Sequence, residues 1–346
     1  MKRISVIGHF GFGLNLLNGQ TIKTKIITEE LERIFGNESV KRYDTHGGLS
    51  FALRLPFVIY IMLSSSKNVI IMPGDKGLLL MMPLIAFFNI FFRRHVYYVV
   101  IGGWLPSFLH KWKFISSLLK RIDGIFVETL SLQETLEQLG YDNIVLMPNC
   151  KRLLVLEDLP HRDDNMEHLP LCLFSRIMKE KGTEDAVRAV TMANKEIGHD
   201  VFSLDIYGEI WKGQERWFQN LLHEYSSNIR YMGRVNYYDS VSTLKDYYAL
   251  LFPTYYKGEC FPGTIIDAFA AGLPVFASDW HENSNIVADG RTGMLFPAHS
   301  VESLSKILIF SYKNQCKING MRRNCLAESK KYFPEVVVNV LVSKIV

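Results

Sequence analysis

Short apolar runs alternate with segments of helical periodicity along the first half of the chain. The predicted strands are residues 4–8, 69–72, 96–101, 124–127 and 144–147, and the helices between them are residues 21–35, 78–92, 112–119 and 132–139. Alternation of this kind predicts βαβ units and a parallel sheet.

The second half repeats the pattern, from a strand at residues 171–174 through a strand at 275–277 to a helix at 301–310. A polar, proline-containing segment at residues 157–168 separates the halves and is predicted to be the interdomain linker. Residues 334–345 show one more helical pattern. We therefore predict an α/β protein with domains at residues 1–160 and 161–330, followed by a helical segment at 331–346.

A strongly apolar run at residues 77–92 raises the question of a membrane span. The run is shorter than the roughly 20 apolar residues that a span needs, and Pro83 and Asn89 interrupt it. We expect a core helix, or one that partly enters the membrane interface, with a true span as the alternative. Together with residues 57–63 and Lys111-Trp112-Lys113, the run favours peripheral membrane attachment, although ordinary core and surface would give the same pattern.

Charge is unevenly distributed along the 346 residues, which are enough for two domains with separate cores. Residues 1–150 contain 16 Lys and Arg against 11 Asp and Glu, whereas the remainder contains 23 against 24. A basic N-terminal half favours an anionic partner, such as a phospholipid surface or a pyrophosphate-linked acceptor, and ordinary surface charge is the alternative. No basic run carries the stacking pattern of a nucleic-acid-binding module, so we expect no nucleic acid partner.

The five cysteines are scattered, odd in number and without a Cys-x-x-Cys pair. This pattern favours a reducing cytosol over a disulfide framework or a zinc site. The N-terminal sequence has a charged start but only a very short apolar run, so it predicts a first strand rather than a signal peptide.

The most informative stretch is residues 257–274, KGECFPGTIIDAFAAGLP. It places Glu259 and Asp267 eight positions apart, on either side of a Pro-Gly loop and the start of a short helix. Gly263 lets the backbone approach a ligand closely, and the first N–H groups of the helix suit a diphosphate. Asp267 is expected in the first turn, where a carboxylate is favoured and can accept hydrogen bonds from sugar hydroxyls.

Arg176 and Lys181 lie five positions apart across a turn that follows the predicted strand at 171–174. When a phosphate-ester bond breaks, negative charge develops on the departing phosphate, and without a metal ion it must be balanced by cations and backbone N–H groups. Arg176 offers a bidentate fork and Lys181 a compact ammonium; two exposed cations at a turn are the simpler alternative. No Asp-x-Asp motif occurs, so we predict no metal site, no cofactor and metal-independent activity.

These motifs resemble those of the family 4 glycosyltransferases, which are retaining enzymes with the GT-B fold. The stretch around Glu259 resembles their Glu-x7-Glu motif, with Asp267 in place of the second Glu. FSRIMKEKG at 174–182 resembles their donor-phosphate segment, with Ser175 in place of the usual Gly. The family's order is also followed by LDIYG at 204–208, IRYMGRV at 229–235, Pro148-Asn149 and Asn18-Gly19-Gln20. The ordered set covers nearly the whole chain.

The resemblance implies two Rossmann-like domains that face each other across a cleft. Residues 1–160 would bind the acceptor, residues 161–330 would bind the nucleotide sugar, and the helix at 331–346 would return to the N-terminal domain. Arg176 and Lys181 would bind the donor phosphates and Glu259 the hydroxyls of the donor sugar, as catalytic residues. The donor would also be bound by Gly19, Phe261, Gly263, Thr264 and Asp267, of which Asp267 would hold the nucleotide ribose.

Many family members carry a His at the end of an N-terminal-domain strand, whereas here that strand ends in Val100-Ile101-Gly102-Gly103-Trp104. His9, His46 and His110 are candidates to replace it, and none is assigned as a general base. The resemblance implies transfer on one face of the sugar, in which the leaving phosphate helps to deprotonate the acceptor.

The predicted function is therefore a retaining glycosyltransferase of the bacterial surface-polysaccharide type, as in capsule or O-antigen synthesis. It would move a sugar from a nucleotide-diphosphate sugar, for which UDP is the expected nucleotide, to a glycan or lipid-diphosphate-linked acceptor. The expected location is the cytoplasm, peripheral on the inner face of the cell membrane. The alternatives are a nucleotide-sugar epimerase of similar fold and a catalytically silent nucleotide-sugar-binding subunit.

Overall fold

The computed structural model describes residues 2–14, 19–156, 158–225 and 228–345. The chain forms two compact units, the first made of Met1–Arg152 with Tyr332–Val346 and the second of Leu153–Lys331. Each unit is built around one sheet of six strands, and all strand pairs in both sheets are parallel. The predicted α/β class with parallel sheets is therefore confirmed.

The first unit contains strands β1 to β6 in the spatial order β2-β1-β3-β4-β5-β6. The strands are β1 (Lys2–Gly8), β2 (Val40–Asp44), β3 (Ser66–Met72), β4 (His95–Val99), β5 (Gly124–Val127) and β6 (Ile144–Leu146). The helices that connect them are α1 (Gly19–Phe35), α2 (Leu49–Ser65), α3 (Asp75–Phe92), α4 (Leu105–Lys111), α5 (Lys113–Leu119) and α6 (Leu130–Gln138). Strands β3, β4 and β5 are buried almost throughout, as expected for a parallel sheet covered on both faces.

The second unit contains strands β7 to β12 in the spatial order β12-β11-β10-β7-β8-β9. The strands are β7 (Leu169–Phe174), β8 (Phe202–Tyr207), β9 (Ile229–Gly233), β10 (Ala249–Phe252), β11 (Val275–Asp279) and β12 (Gly293–Pro297). The helices are α7 (Thr183–Ile197), α8 (Glu215–Glu224), α9 (Ser240–Leu244), α10 (Gly263–Ala270), α11 (Asn283–Ile286), α12 (Val301–Lys313) and α13 (Gln315–Ser329). One more helix, α14 (Pro334–Val342), packs against α1 of the first unit.

The strand order of the second sheet creates a point at which ligands commonly bind. The chain moves outward from β7 to β9 in one direction and from β10 to β12 in the other, so the order reverses between β7 and β10. At such a reversal the connections that leave the two central strands diverge, which opens a crevice at the carboxyl ends of the strands. The segments that follow β7 and β10 are therefore placed side by side.

Three features differ from the sequence-based expectations. The second unit begins at Leu153 rather than at residue 161, because Leu156 N–H donates to the Ala270 carbonyl (3.4 Å) and Arg322 Nη1 donates to the Pro160 carbonyl (2.7 Å). The expected linker at 157–168 thus belongs to that unit, with residue 157 outside the described residues. Strand β2 and helix α2 were not predicted, and the helix expected at 112–119 is preceded by a separate short helix, α4.

Candidate active site

Arg176 and Lys181 both lie in the segment that follows β7. Arg176 is two residues past the end of the strand and is exposed to solvent. Lys181 ends a short 3-10 turn, Lys179–Lys181, and is only 7% exposed. The turn leads into α7, so the two cations occupy the strand-to-helix connection that the sequence predicted.

Two glycines allow this connection to pack closely on its neighbours. Gly182 has φ +72°, and a Cβ at this position would lie 2.1 Å from the Pro253 carbonyl oxygen, just past β10. Gly208 has φ +141°, and a Cβ there would lie 1.8 Å from the Ser175 carbonyl oxygen. Only glycine combines this backbone with such close approach. The loops after β7, β8 and β10 are therefore held against one another at the crevice.

Glu259 forms a buried ion pair with Lys181. The Lys181 ammonium bonds to Glu259 Oε2, and the two side chains are 8% and 10% exposed. The Thr254 hydroxyl donates to the same carboxylate oxygen at 3.0 Å, and Thr254 itself is fully buried. A buried pair of this kind is retained only when further hydrogen bonds satisfy its charges, which is the part that Thr254 plays.

Arg176 supplies the uncompensated positive charge of the site. Its guanidinium carbon lies 5.1 Å from the centre of the Trp211 ring and 5.8 Å from the centre of the Tyr256 ring. Within the described parts of the chain, no carboxylate forms an ion pair with it. Because Lys181 is already paired with Glu259, Arg176 is the cation of this group that is open to an anionic ligand.

The third part of the site is the start of α10. The helix begins at Gly263, directly after Pro262, so Gly263 and Thr264 occupy its first turn and Phe261 precedes it. Asp267, in contrast, lies in the second turn, and the expectation that it occupies the first turn is wrong because α10 begins at Gly263. Asp267 is 2% exposed, and its Oδ1 accepts a hydrogen bond from the Ser240 hydroxyl at 3.1 Å. Its assignment to the nucleotide ribose stays a prediction.

Gly19 is the first residue of α1 in the first unit and is exposed. Asn18, which the motif pairs with it, lies outside the described residues. Nearby, at the carboxyl ends of β1 and β2, His9 Nδ1 lies 2.7 Å from the Thr21 hydroxyl and His46 Nδ1 lies 3.3 Å from His9 Nε2. No role in proton transfer is assigned to this histidine pair.

Asp44, at the end of β2, fixes the backbone beside the histidine pair. Burial alone would raise the pKa of the Asp44 carboxyl, but hydrogen bonds from backbone N–H groups, including those of Phe12, His46 and Phe10, hold its pKa below the ordinary value. The carboxylate therefore stays ionised at neutral pH and acts as a structural acceptor for the loop that follows β1.

Three residues of the site were missed in the sequence. Thr254 orients Glu259, and the rings of Tyr256 and Trp211 lie beside Arg176. Tyr256 also lies 5.2 Å from the Lys181 ammonium, measured to the centre of its ring. Their position after predicted strands could have identified them. Thr254 and Tyr256 follow β10 and Trp211 follows β8, so all three lie at the same carboxyl end of the sheet as Arg176.

Metal ligands and disulfides were expected to be absent. Within residues 2–14, 19–156, 158–225 and 228–345, no three His, Cys, Asp or Glu side chains cluster as a metal site would require. None of the five cysteines forms a disulfide within the described residues, and Cys260, which lies in the candidate site, is buried. Metal independence stays a prediction about activity.

Comparison with known proteins shows what this chain is similar to. Residues 164–332, just under half of the chain, match the model of the family described as glycosyl transferases group 1. An uncharacterized glycosyltransferase of Methanocaldococcus jannaschii is 23% identical over 182 residues, which are 52% of this chain and 44% of that protein. The chain spans less than half the length of the curated relatives that it matches.

Solved structures match over almost the full length. Sucrose-phosphate synthase of Thermosynechococcus elongatus gives a TM-score of 0.76 at 15% identity, covering 99% of this chain and 98% of that one. Anabaena HepE in complex with UDP gives 0.74 at 14% identity, covering 99% of each chain. The chain therefore has the predicted GT-B fold. The family match, the curated relative and these structures together support a glycosyltransferase.

Proposed function

We propose that this chain is a retaining glycosyltransferase that moves a sugar from a UDP-sugar to a hydroxyl of a glycan or lipid-diphosphate-linked acceptor. The biological setting that we propose is the synthesis of a bacterial surface polysaccharide. The observation that carries the proposal is the group formed by Arg176, Lys181 and Glu259 where the strand order reverses, in the part of the chain that matches the glycosyltransferase family.

Donor binding follows from the charges of this group. The diphosphate would lie against Arg176, whose guanidinium can bind two phosphate oxygens at once. The first N–H groups of α10, at Gly263 and Thr264, would add donors at the positive end of the helix. Lys181 would share its charge between Glu259 and the phosphate. Sugar hydroxyls would donate to Glu259, which holds the sugar with its anomeric carbon beside the phosphate.

The reaction itself needs one bond to break and one to form. The bond between the anomeric carbon and the phosphate oxygen breaks, and its electron pair stays on the UDP that leaves. The acceptor oxygen bonds to the anomeric carbon from the same face, and its proton passes to the departing phosphate oxygen. Arg176 and Lys181 stabilise the negative charge that grows on that phosphate, which is the kind of interaction that lowers a barrier most.

The choice of UDP has separate support. Anabaena HepE, which has the same fold over 99% of its length, was solved with UDP bound. The proposed role of Gly19 as a further diphosphate contact, and that of Asp267 at the ribose, rest on the motif resemblance alone.

The decisive experiment incubates the purified protein with UDP-, GDP- and dTDP-linked sugars, with and without a polyprenyl-diphosphate glycan acceptor, and measures nucleotide release. We expect release of UDP that depends on acceptor, with Arg176→Ala as the impaired variant and Arg188→Ala as the matched exposed control. A changed sugar nucleotide without acceptor or release would identify an epimerase. Binding of UDP-sugar with no turnover on any acceptor would identify a silent subunit.

Two further measurements test the details. Nuclear magnetic resonance of the product should show the same anomeric configuration as the donor, and inversion would contradict the proposed single-face transfer. Activity should persist in excess EDTA, because the site supplies cations in place of a metal ion. Complete loss that Mg²⁺ or Mn²⁺ restores would show that the phosphate is balanced differently.

A further inference from the structure

Helix α3 of the first unit is apolar on two opposite faces. Leu78, Met81, Met82 and Ile85 are buried and belong to the core beside the sheet. Leu80, Phe87 and Phe91, spaced seven and four residues apart, are 51%, 57% and 70% exposed and so form a stripe on the opposite side. A surface helix of a globular protein normally has polar residues on its outer face. The outer face of α3 therefore exposes apolar side chains that a binding partner would remove from water.

The exposed stripe continues onto the neighbouring helices. On α2, Leu53, Phe57 and Tyr60 are 78%, 67% and 47% exposed. Tyr60 bridges to α3, with its ring centre 5.9 Å from that of Phe88 and 5.4 Å from that of Phe92. These residues and α5 outline a continuous surface, which we call the apolar face.

A groove on the α5 side of the apolar face has a volume of about 470 Å³. Its walls include Met82, Phe87, Ile90, Phe114 and Leu118, and Arg121 lies at the same groove. Phe114 is 64% exposed and Trp112, just before α5, is 38% exposed. The groove thus combines an apolar channel with the cation Arg121 and the carboxylate of Asp123, which is held by His95 Nδ1 at 2.7 Å and by the Val96 N–H at 2.8 Å.

Basic residues are concentrated in the segment of the chain that carries the apolar face. Residues 49–122 contain nine Lys and Arg against one acid, Asp75, which is a net charge of +8, whereas residues 1–48 and 123–150 together have a net charge of −3. Arg54 lies next to Leu53, Arg93 follows the end of α3, and Lys113 lies beside Phe114. Within the part of the chain that the structure describes, none of these three cations has a carboxylate partner.

We propose that the apolar face is a docking surface for an anionic lipid bilayer. The exposed aromatic and aliphatic side chains enter the boundary between headgroups and acyl chains, as those of interfacial helices do. The neighbouring Lys and Arg pair with anionic headgroups. The groove takes one acyl chain, with Arg121 positioned for the lipid phosphate.

The charge distribution and the fold argue against the other possible partners of this face. A second copy would bring two cation-rich faces together across a two-fold axis, which is repulsive, since residues 49–122 carry a net charge of +8. By length and composition α3 is able to cross a membrane, and only 22% of its apolar window is buried. That buried part belongs to the core next to β3 and β4, however, so a span would remove the helix from its own sheet.

The test is co-sedimentation with phosphatidylcholine vesicles that either contain or lack phosphatidylglycerol, and it requires no sugar nucleotide. Wild-type protein is expected to bind only the anionic vesicles and to dissociate in high salt. Phe87→Ser with Phe91→Ser, and separately Lys111→Glu with Lys113→Glu, should each weaken binding about tenfold or more. The matched controls are Leu154→Ser with Tyr238→Ser, which are 85% and 75% exposed in the second unit, and Lys306→Glu with Lys313→Glu on α12.

Several outcomes would overturn the proposal. The proposal fails if both test pairs bind anionic vesicles within twofold of wild type, or if wild-type protein does not bind these vesicles. It also fails if the protein stays in the membrane after alkaline carbonate extraction, or if the protein is a dimer that the Phe87 and Phe91 changes dissociate. If a test pair fails to fold by circular dichroism, photoreactive phosphatidylglycerol and wild-type protein decide the question. Cross-links should then map to residues 53–60, 80–91 and 112–118, and cross-links confined to other segments would refute the assignment.

Discussion

The two units share one architecture but have opposite surfaces. In each, helices cover a parallel six-stranded sheet, and α3 and α7 both connect neighbouring strands. Helix α7 carries five charged residues among its 15, spread over its length, whereas α3 carries two among its 18, both in the first turn. The outer face of α7 is therefore solvated and that of α3 is apolar.

Both units bury an ion pair, which in the first unit joins Lys23 to Glu128. In the second unit the ion pair of Lys181 and Glu259 lies inside, at the sheet edge where the two central strands end. In the first unit Arg54, Arg93 and Lys113, in the segment that carries the apolar face, are exposed, and apolar side chains lie between them. Under the two proposals above, one scaffold would separate two tasks: the transfer reaction would take place at the carboxyl ends of the strands in the second unit, and attachment to lipid would use the outer helices of the first.

The largest expected effect is that of Lys181→Ala. Removal of the ammonium takes one phosphate-balancing cation from the site, which typically costs about 10²–10³ in rate. It also leaves Glu259 buried without its partner, which should lower the free energy of unfolding by roughly 3–5 kcal/mol. Turnover and thermal unfolding measure the two losses, with Lys179→Ala on the same turn as the control.

A second change separates those two losses. Adding Glu259→Gln to Lys181→Ala removes the orphaned charge, so much of the stability should return while turnover stays low. Full stability of Lys181→Ala alone would contradict the burial of the pair.

Arg176→Ala is expected to lower turnover by a similar factor of about 10²–10³ without loss of stability. Its guanidinium is exposed and lies against rings rather than carboxylates, so the fold does not depend on it. Steady-state kinetics with denaturant unfolding tests this, and Arg188→Ala provides the control. If Arg176→Ala keeps its turnover but unfolds at lower denaturant concentration, Arg176 has a structural role and not a catalytic one.

Gly182→Ala is expected to cost roughly 2–5 kcal/mol, since the added Cβ meets both left-handed backbone strain and the Pro253 carbonyl. Gly198→Ala is the matched control, because Gly198 also has a positive φ, +95°, but has no atom within 4 Å of the added Cβ. The control should lose about 1–2 kcal/mol. Equal losses in the two variants would mean that the loops after β7 and β10 are not held together closely.

The smallest effect is expected on the exposed side of α3. Phe91→Ser should change the free energy of unfolding by no more than about 0.5 kcal/mol, whereas Met82→Ala on the buried side should cost about 2–5 kcal/mol. Chemical denaturation of the two variants without lipid measures the difference. A large loss in Phe91→Ser would show that this face is covered within the folded chain.

The buried strands could be predicted closely from the sequence. Strand β5 has the predicted bounds, and β1 and β3 extend the predicted runs by two and three residues at their N-terminal ends. Interior parallel strands are continuous apolar runs, which few other elements imitate at this length. Edge strand β2, VKRYD, lacks such a run because four of its five residues are partly or fully exposed.

The candidate site was predictable in its parts but not in its pairing. Motif positions identified Arg176, Lys181 and Glu259 individually. The ion pair between Lys181 and Glu259 spans 78 residues and depends on β7 pairing with β10, which local sequence does not specify. Helix α2 was missed because its apolar residues occupy all sides and Pro56 interrupts it, which hides the helical period.

The discontinuity of the first unit has a consequence for protein synthesis. Residues 1–152 are made early, yet their unit is complete only when α14 packs against α1 and the Tyr97 hydroxyl donates to the Lys344 carbonyl. The second unit is continuous in sequence, so nothing delays it in the same way. On the ribosome, the first unit would therefore stay incompletely folded while the second unit folds. Chaperones that recognise apolar surface would meet the first unit before the second.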